Sequence, residues 1–172
     1  MKIAVLISNG SEEIEALTPV DVLRRANVEC HLISVCEKQV VGSHNIKITS
    51  DYLLDEVCLS SYDGIVIPGG MPGAEIISKS KKVINAITDM MKNNKLVASI
   101  CASPAVVLAR HNLLQNKKAT CYMADDFINL MKDNFTLEDV VVDGNLITAN
   151  GPKSAMLFSL KICEFLGVKP KF

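Results

Sequence analysis

Cys101 is the residue of this sequence that is best placed to act as a nucleophile. It follows the apolar run Leu96–Ile100 directly and precedes Ala102, Ser103 and Pro104. Because proline is tolerated in the first turn of a helix but not deeper, a helix should begin at Cys101 or Ala102. Unpaired amides at a helix N-terminus favour negative charge and lower cysteine pKa values, and a sharp strand-to-helix turn presents the nucleophile in many hydrolases. The alternative is that Cys101 is one more small buried residue.

A second candidate is Glu15, the last acidic residue of the segment 12–15. Carboxylates at the start of a helix normally face solvent, where they complement the helix dipole. Ile14 and Leu17 flank Glu15, however, so its side chain need not point the same way as its acidic neighbours. Pro19 makes the nearby backbone irregular, whether it interrupts one helix or opens a new one. A carboxyl group in an apolar pocket there would have a raised pKa and could donate a hydrogen bond to a thiolate.

Gly69 and Gly70 follow another apolar run and allow two interpretations. The first is a tight turn that requires a positive φ. The second is that their backbone amides approach a ligand and stabilise negative charge on oxygen. No Gly-Lys-Ser/Thr sequence follows, so a phosphate-binding loop has little support. The three histidines are not spaced to form a Cys–His dyad, and together with the six cysteines they show no zinc-ligand spacing.

Strand-length apolar runs alternate with segments of helical period along the chain. The predicted strands are 2–8, 28–35, 64–68, 96–100, 140–143 and 146–149, with a small hairpin over 40–49. The predicted helices are 17–26, 81–93, 102–110 and 152–166. This order predicts an α/β fold with a mostly parallel sheet and helices on both faces. Because the carboxyl ends of parallel strands lie at one edge, Cys101, Gly69, Gly70 and the segment containing Glu15 should converge there.

Composition limits the possible classes of protein. The 172 residues indicate one domain, 1–172, and no linker or repeat divides them. The formal net charge of −1 argues against bulk nucleic-acid binding and against a polybasic membrane surface. No C-x-x-C pair and no secretory cleavage site is evident. We therefore expect free thiols, a reducing cytoplasmic location, and neither a nucleic-acid partner nor a membrane partner.

Several segments in this order resemble the ThiJ/PfpI family, also called the DJ-one superfamily. The segments that carry the resemblance are 10–15 followed by 19–26, then 68–73, 100–104 and 150–152. The resemblance spans almost the whole chain and implies a flavodoxin-like, class I glutamine amidotransferase-like fold and a homodimer. It also implies that Cys101 is the nucleophile and that Glu15 is its protonated partner. The amides of Gly69, Gly70 and Ala102 are then the candidate oxyanion and substrate-binding groups.

The branch of the family that the sequence resembles implies chemistry without a metal or organic cofactor. Its members are associated with conversion of methylglyoxal to lactate and with deglycase activity on early glycation adducts. The alternative is a redox sensor or chaperone that uses an oxidisable Cys101 of low pKa without significant turnover. A more distant branch contains peptidases with histidine after the cysteine; here Ala102 occupies that position, which argues against a peptidase or amidase.

Many members of the resembled family carry histidine in the strand that follows the elbow helix, the helix that begins at Cys101 or Ala102. Here Tyr122 occupies the position of that histidine, which is a second departure from the family. Since a phenol is a poorer base than imidazole near neutral pH, proton transfer would then depend on Glu15. Tyr122 is therefore a possible pocket residue, or else an aromatic residue of the core. Its neighbour Cys121 could resolve an oxidised Cys101, or could simply be a small residue packed in a strand.

Overall fold

The computed structural model describes residues 1–172, which form nine strands and five α-helices. The strands are β1 (Lys2–Ile7), β2 (Glu29–Ser34), β3 (Gln39–Val41), β4 (Lys47–Thr49), β5 (Tyr52–Leu53), β6 (Gly64–Ile67), β7 (Leu96–Ile100), β8 (Val140–Asp143) and β9 (Leu146–Ala149). The α-helices are α1 (Glu13–Arg25), α2 (Gly73–Ser78), α3 (Lys81–Lys92), α4 (Asp125–Met131) and α5 (Ala155–Leu166), and a π-helix spans Pro104–Ala109.

Seven strands form one sheet in the order β5-β2-β1-β6-β7-β9-β8. All neighbouring pairs are parallel except β8 and β9, which form a hairpin. Strand β1 lies near the centre, with Val5 opposite Leu32 of β2 and Val66 of β6. The hairpin β3–β4 stands apart from this sheet. The predicted α/β, flavodoxin-like architecture is confirmed.

The sheet has an apolar core on each face, as expected when successive side chains of a strand point to opposite sides. Ile3 and Val5 belong to the core that α1 and α5 cover, whereas Ala4 and Leu6 belong to the core under α2, α3 and the π-helix. Burial of both faces explains why the strands are continuous apolar runs instead of alternating ones.

Several elements differ from their predictions. Helix α1 begins at Glu13 instead of residue 17, because the side chain of Glu12 caps the amide of Glu15 at 2.8 Å. The same helix continues through Pro19. The helix predicted over 102–110 is a π-helix of six residues. The segment 118–122, where the family resemblance implies a strand after the elbow helix, is not a strand; it forms a single bridge between Ala119 and Phe135. Strand β5 and helices α2 and α4 were not predicted at all.

The six cysteines are free thiols: Cys30, Cys36, Cys58, Cys101, Cys121 and Cys163. No helix in the structure combines the length and the apolar character needed to cross a bilayer.

Candidate functional site

The backbone at Cys101 forms the sharp elbow that its sequence context predicts. Its φ is +66°, a left-handed conformation that costs a residue with a side chain about 1–2 kcal/mol. Two hydrogen bonds hold this conformation: the Cys101 amide donates to Ala149 O at 2.8 Å, and its carbonyl accepts from Tyr122 N at 2.7 Å. Ser103 Oγ also donates to Pro68 O at 2.5 Å, which ties the elbow to the loop after β6. The thiol is therefore fixed at the carboxyl edge of the sheet.

Glu15 is fully buried beside this elbow. One of its oxygens, Oε2, accepts a hydrogen bond from the Gly69 amide at 2.8 Å. The other oxygen, Oε1, is buried and has no partner. An unpaired buried oxygen is costly, so Oε1 is a group from which a protonated carboxyl could donate to a substrate. The apolar neighbours Ile14 and Leu17 are the exposed residues of this turn.

The absence of a side chain at Gly69 allows the thiol and the carboxyl group to meet. A Cβ atom there would lie 2.7 Å from Glu15 Oε2 and 3.0 Å from Cys101 Sγ. The next residue, Gly70, has a φ of +82° and its amide faces the Cys101 thiol. The amide of Gly69, predicted as a candidate oxyanion or substrate-binding group, donates to Glu15 Oε2 in the structure. The amides directed at the thiol are those of Gly70 and Ala102.

Burial raises the pKa of Glu15 to about 7. The hydrogen bonds from Cys101 and from the Gly69 amide oppose this shift, while the charge of Glu12 adds to it. The carboxyl group is therefore partly protonated at neutral pH, as the raised pKa predicted for an apolar pocket requires. Sequence reasoning missed Glu12, although its spacing of three residues from Glu15 is typical of a side chain that caps a helix.

Burial also raises the pKa of the Cys101 thiol, and the negative charge of Glu15 raises it further. The amides of Gly70 and Ala102 lower this pKa by less. The prediction of a lowered thiol pKa is therefore wrong, and burial is the main reason. Strongly interacting acids titrate as a pair, so once the pair has lost one proton its negative charge can reside on either group. Thiolate beside neutral carboxyl is then a tautomer of thiol beside carboxylate.

Tyr122 does not belong to the core: its side chain is 47% exposed. The ring lines a cavity of about 220 Å³ with Asn150, Gly151, Pro152, Met123 and Lys153, and this cavity does not include Cys101. Contact with the elbow runs through the backbone, from Tyr122 N to Cys101 O. Its neighbour Cys121 is fully buried in the core, and burial raises the pKa of that thiol to about 11.

The histidines make hydrogen bonds away from the thiol. His31 pairs with Tyr62 at 2.9 Å, and His111 pairs with Ser78 at 2.9 Å. His44 pairs with Glu13 at 2.9 Å in the β3–β4 hairpin. None of these contacts forms a Cys–His dyad.

Comparisons with known proteins extend over nearly the whole chain. The sequence model described as the DJ-1/PfpI family matches residues 1–165. Protein DJ-1 homolog B of Arabidopsis thaliana is 42% identical over 165 residues, which cover 95% of this chain and 37% of that protein. Protein dj-1beta of Drosophila melanogaster is 35% identical, covering 97% of this chain and 90% of that protein. The chain thus spans less than half the length of the Arabidopsis relative.

Solved structures show the same fold. The structure of oxidized Toxoplasma gondii DJ-1 has a TM-score of 0.91 and 40% identity, covering 96% of this chain and 90% of that chain. Drosophila melanogaster DJ-1beta has a TM-score of 0.88 and 32% identity, covering 95% of this chain and 90% of that chain.

Proposed function

This chain belongs to the DJ-1/PfpI family, and on that premise we propose that it is a cysteine-dependent protein of stress protection. Its proposed activity is glyoxalase and deglycase chemistry on methylglyoxal or its adducts, without a metal or organic cofactor. The observation that carries the proposal is the buried Glu15 carboxyl, whose pKa is raised to about 7 beside the Cys101 thiol. A general acid–base with a pKa near the working pH is the most effective one.

The first step is attack of the Cys101 thiolate on the aldehyde carbon of methylglyoxal. A C–S bond forms, and the carbonyl electron pair moves to oxygen, which the amides of Gly70 and Ala102 stabilise. That oxygen takes the proton held by Glu15, leaving a hemithioacetal and a carboxylate. The thiolate tautomer of the pair supplies the nucleophile and the proton without a change in net charge.

The second step is proton transfer between the two substrate carbons. The Glu15 carboxylate removes the proton from the former aldehyde carbon, and the electron pair forms a C–C double bond as the neighbouring carbonyl pair moves to its oxygen, giving an enediolate. That oxygen takes the proton of the first hydroxyl group, and Glu15 returns its proton to the second carbon, which gives a thioester of lactate on Cys101. Water then breaks the C–S bond, releases lactate and restores the thiol. The net reaction adds one water to methylglyoxal and needs no oxidant.

The test is lactate formation from methylglyoxal by purified protein. Cys101→Ser and Glu15→Gln should each abolish turnover while circular dichroism shows an unchanged fold. Glu75→Gln is the control, because Glu75 is ion-paired with Arg110 at 2.7 Å on another surface and should leave turnover intact. Equal turnover by wild type and Cys101→Ser would refute the proposal.

A redox-sensor role is the second candidate, favoured by the relative from Toxoplasma gondii, whose solved structure is of an oxidised form. Oxidation of the Cys101 thiolate by peroxide would place sulfinate oxygens near the amides of Gly70 and Ala102 and the Glu15 carboxyl. Under mild peroxide, mass spectrometry should find two added oxygens on Cys101 and few on the exposed Cys36 and Cys58. Oxidation of Cys36 and Cys58 to the same extent as Cys101 would argue against a dedicated sensor.

We also propose that the protein is a homodimer. Helices α1 and α5 pack against each other and leave several large apolar side chains exposed: Ile14, Leu17, Met156, Leu157 and Leu160. Exposed apolar patches mark association surfaces. Light scattering coupled to gel filtration should give a dimer mass for the wild type and a monomer mass for Leu17→Glu; a wild-type monomer would refute the homodimer.

A further inference from the structure

A cluster of metal-ligand side chains lies outside the Cys101–Glu15 pair. Glu12 and Glu13 open helix α1, and His44 lies on the loop between β3 and β4. His44 Nδ1 is 2.9 Å from Glu13 Oε2 and 3.7 Å from Glu12 Oε1. One ligand atom from each residue falls within 4.8 Å of the others.

Two buried carboxylates in this cluster lack a permanent cation. The side chains of Glu12 and Glu13 are only 8% and 5% exposed, and neither forms an ion pair with lysine or arginine. Buried charges are normally paired or coordinated to a metal. His44 is the only side chain that could neutralise them, and it is 70% exposed. The cluster therefore carries more negative charge than its protein partners compensate.

The two carboxyl groups are held so that one oxygen of Glu12 stays free. Glu12 Oε2 is used by the Glu15 amide at 2.8 Å, whereas Glu12 Oε1 accepts no hydrogen bond and faces His44 Nδ1. Glu13 is oriented by the His44 amide, which donates to Oε1 at 2.7 Å, and by Ser43 Oγ, which donates to Oε2 at 3.2 Å. Such outer contacts fix ligand orientation in metal sites.

We propose that Glu12, Glu13 and His44 bind one Zn²⁺ ion through Glu12 Oε1, Glu13 Oε2 and His44 Nδ1, with water as the fourth ligand. Zinc–ligand bonds of about 2.0–2.1 Å in a tetrahedron place neighbouring ligand atoms about 3.3 Å apart. The separations of 2.9 and 3.7 Å from His44 lie on either side of that value. The exposed imidazole can adjust by a small movement, while the buried carboxylates stay in place.

The donor set favours a borderline cation. One imidazole nitrogen with two carboxylate oxygens suits Zn²⁺, whereas Mg²⁺ and Ca²⁺ prefer oxygen ligands alone. Thiolates also bind zinc, so the free cysteines are the competing location that an experiment has to separate from this cluster.

The test is calorimetric titration of the reduced full chain with Zn²⁺ in a weakly coordinating buffer near pH 7.5. We expect one ion per chain, with affinity at least tenfold weaker in His44→Ala and in Glu12→Gln. The matched controls are His111→Ala, which removes a histidine paired with Ser78 elsewhere, and Cys101→Ser. Both controls should bind Zn²⁺ as the wild type does.

A second readout separates oxygen and nitrogen ligands from sulfur. Co²⁺ bound in place of Zn²⁺ should show visible d–d absorption without a thiolate-to-metal charge-transfer band. Zn²⁺ should also raise the melting temperature of the wild type but not that of His44→Ala. This variant should keep the fold, because the His44 side chain is exposed in the wild type. Absence of binding, unchanged affinity in His44→Ala, or loss of binding in Cys101→Ser would each overturn the proposal.

Discussion

Replacing Glu15 by glutamine should make the protein more stable at alkaline pH but not at acidic pH. The Glu15 pKa is about 7 in the folded protein against an ordinary value of 4.5. A pKa difference of one between the folded and unfolded states corresponds to about 1.4 kcal/mol, so the folded state favours the neutral carboxyl by about 3 kcal/mol. Glutamine has nearly the same shape, keeps an acceptor for the Gly69 amide and never ionises.

The direction of this change of stability with pH follows from proton binding in the folded and unfolded states. Between about pH 4.5 and pH 7 the folded protein holds a proton at Glu15 that the unfolded chain has lost. The wild type therefore loses stability as pH rises through this window, and above it the full penalty of about 3 kcal/mol applies. The quantity to compare is the unfolding free energy of Glu15→Gln minus that of the wild type. Between pH 4.5 and pH 8.5 this difference should rise by about 3 kcal/mol in favour of Glu15→Gln.

Urea unfolding at pH 4.5, 6, 7 and 8.5 measures this difference. Comparing Cys101→Ser with the double variant that also carries Glu15→Gln leaves the carboxyl as the only titrating member of the pair. Any contribution of Glu15→Gln that does not depend on pH cancels in the comparison. As control, Glu75→Gln should change little over this pH range, because the hydrogen bond from Arg110 lowers the pKa of Glu75 and its pH-dependent contribution therefore falls at and below the ordinary value of 4.5. A difference between Cys101→Ser and the double variant that stays constant with pH would refute the assignment of a raised Glu15 pKa.

Three further substitutions test the remaining features of the site. Gly69→Ala should abolish dicarbonyl turnover and cost about 1–3 kcal/mol by urea unfolding, because its Cβ would lie 2.6 Å from that of Cys101; Gly167→Ala, with nothing within 4 Å, should leave turnover intact. Tyr122→His should change the free energy of unfolding by less than about 0.5 kcal/mol, since the ring is half exposed. An unchanged pH–rate profile of dicarbonyl turnover in this variant would exclude the position from catalysis. Cys121→Ser should leave peroxide oxidation of Cys101 unchanged by mass spectrometry, because a fully buried thiol cannot resolve it without local unfolding.

The strands could be predicted well because a doubly covered parallel sheet leaves an unambiguous pattern. Strand β7 (Leu96–Ile100) matches its prediction residue for residue, and all five of its residues are buried. The six residues of α2 are too few to show a helical period, so this helix went unpredicted. The elbow helix was expected from Pro104, but its π-helical hydrogen bonding has no sequence signature that composition or spacing reveals.

The burial of Glu15 was predicted, but the residues around it are exposed and buried in the opposite way to the one expected. Because Ile14 and Leu17 flank Glu15, its side chain was expected to point away from its acidic neighbours, yet both apolar residues are exposed and Glu12, Glu13 and Glu15 are all buried. The turn faces inward because its acids have specific partners: a backbone amide for Glu12, the hairpin loop for Glu13 and the Gly69 amide for Glu15. The partners of Glu13 and Glu15 are distant in sequence, so local periodicity cannot identify them.

The pKa of the Cys101 thiol also could not be predicted from local sequence alone. The local sequence of Cys101 predicts acidification, since amides at the start of a helix favour a thiolate. The amides of Gly70 and Ala102 do act in that direction, but burial and the charge of Glu15 act more strongly in the other. A reactive thiolate therefore depends on where the shared proton resides, because protonation of Glu15 removes one of the two effects that oppose the thiolate and leaves only burial. The nucleophile of this protein is better described as the Cys101–Glu15 pair than as an acidic cysteine.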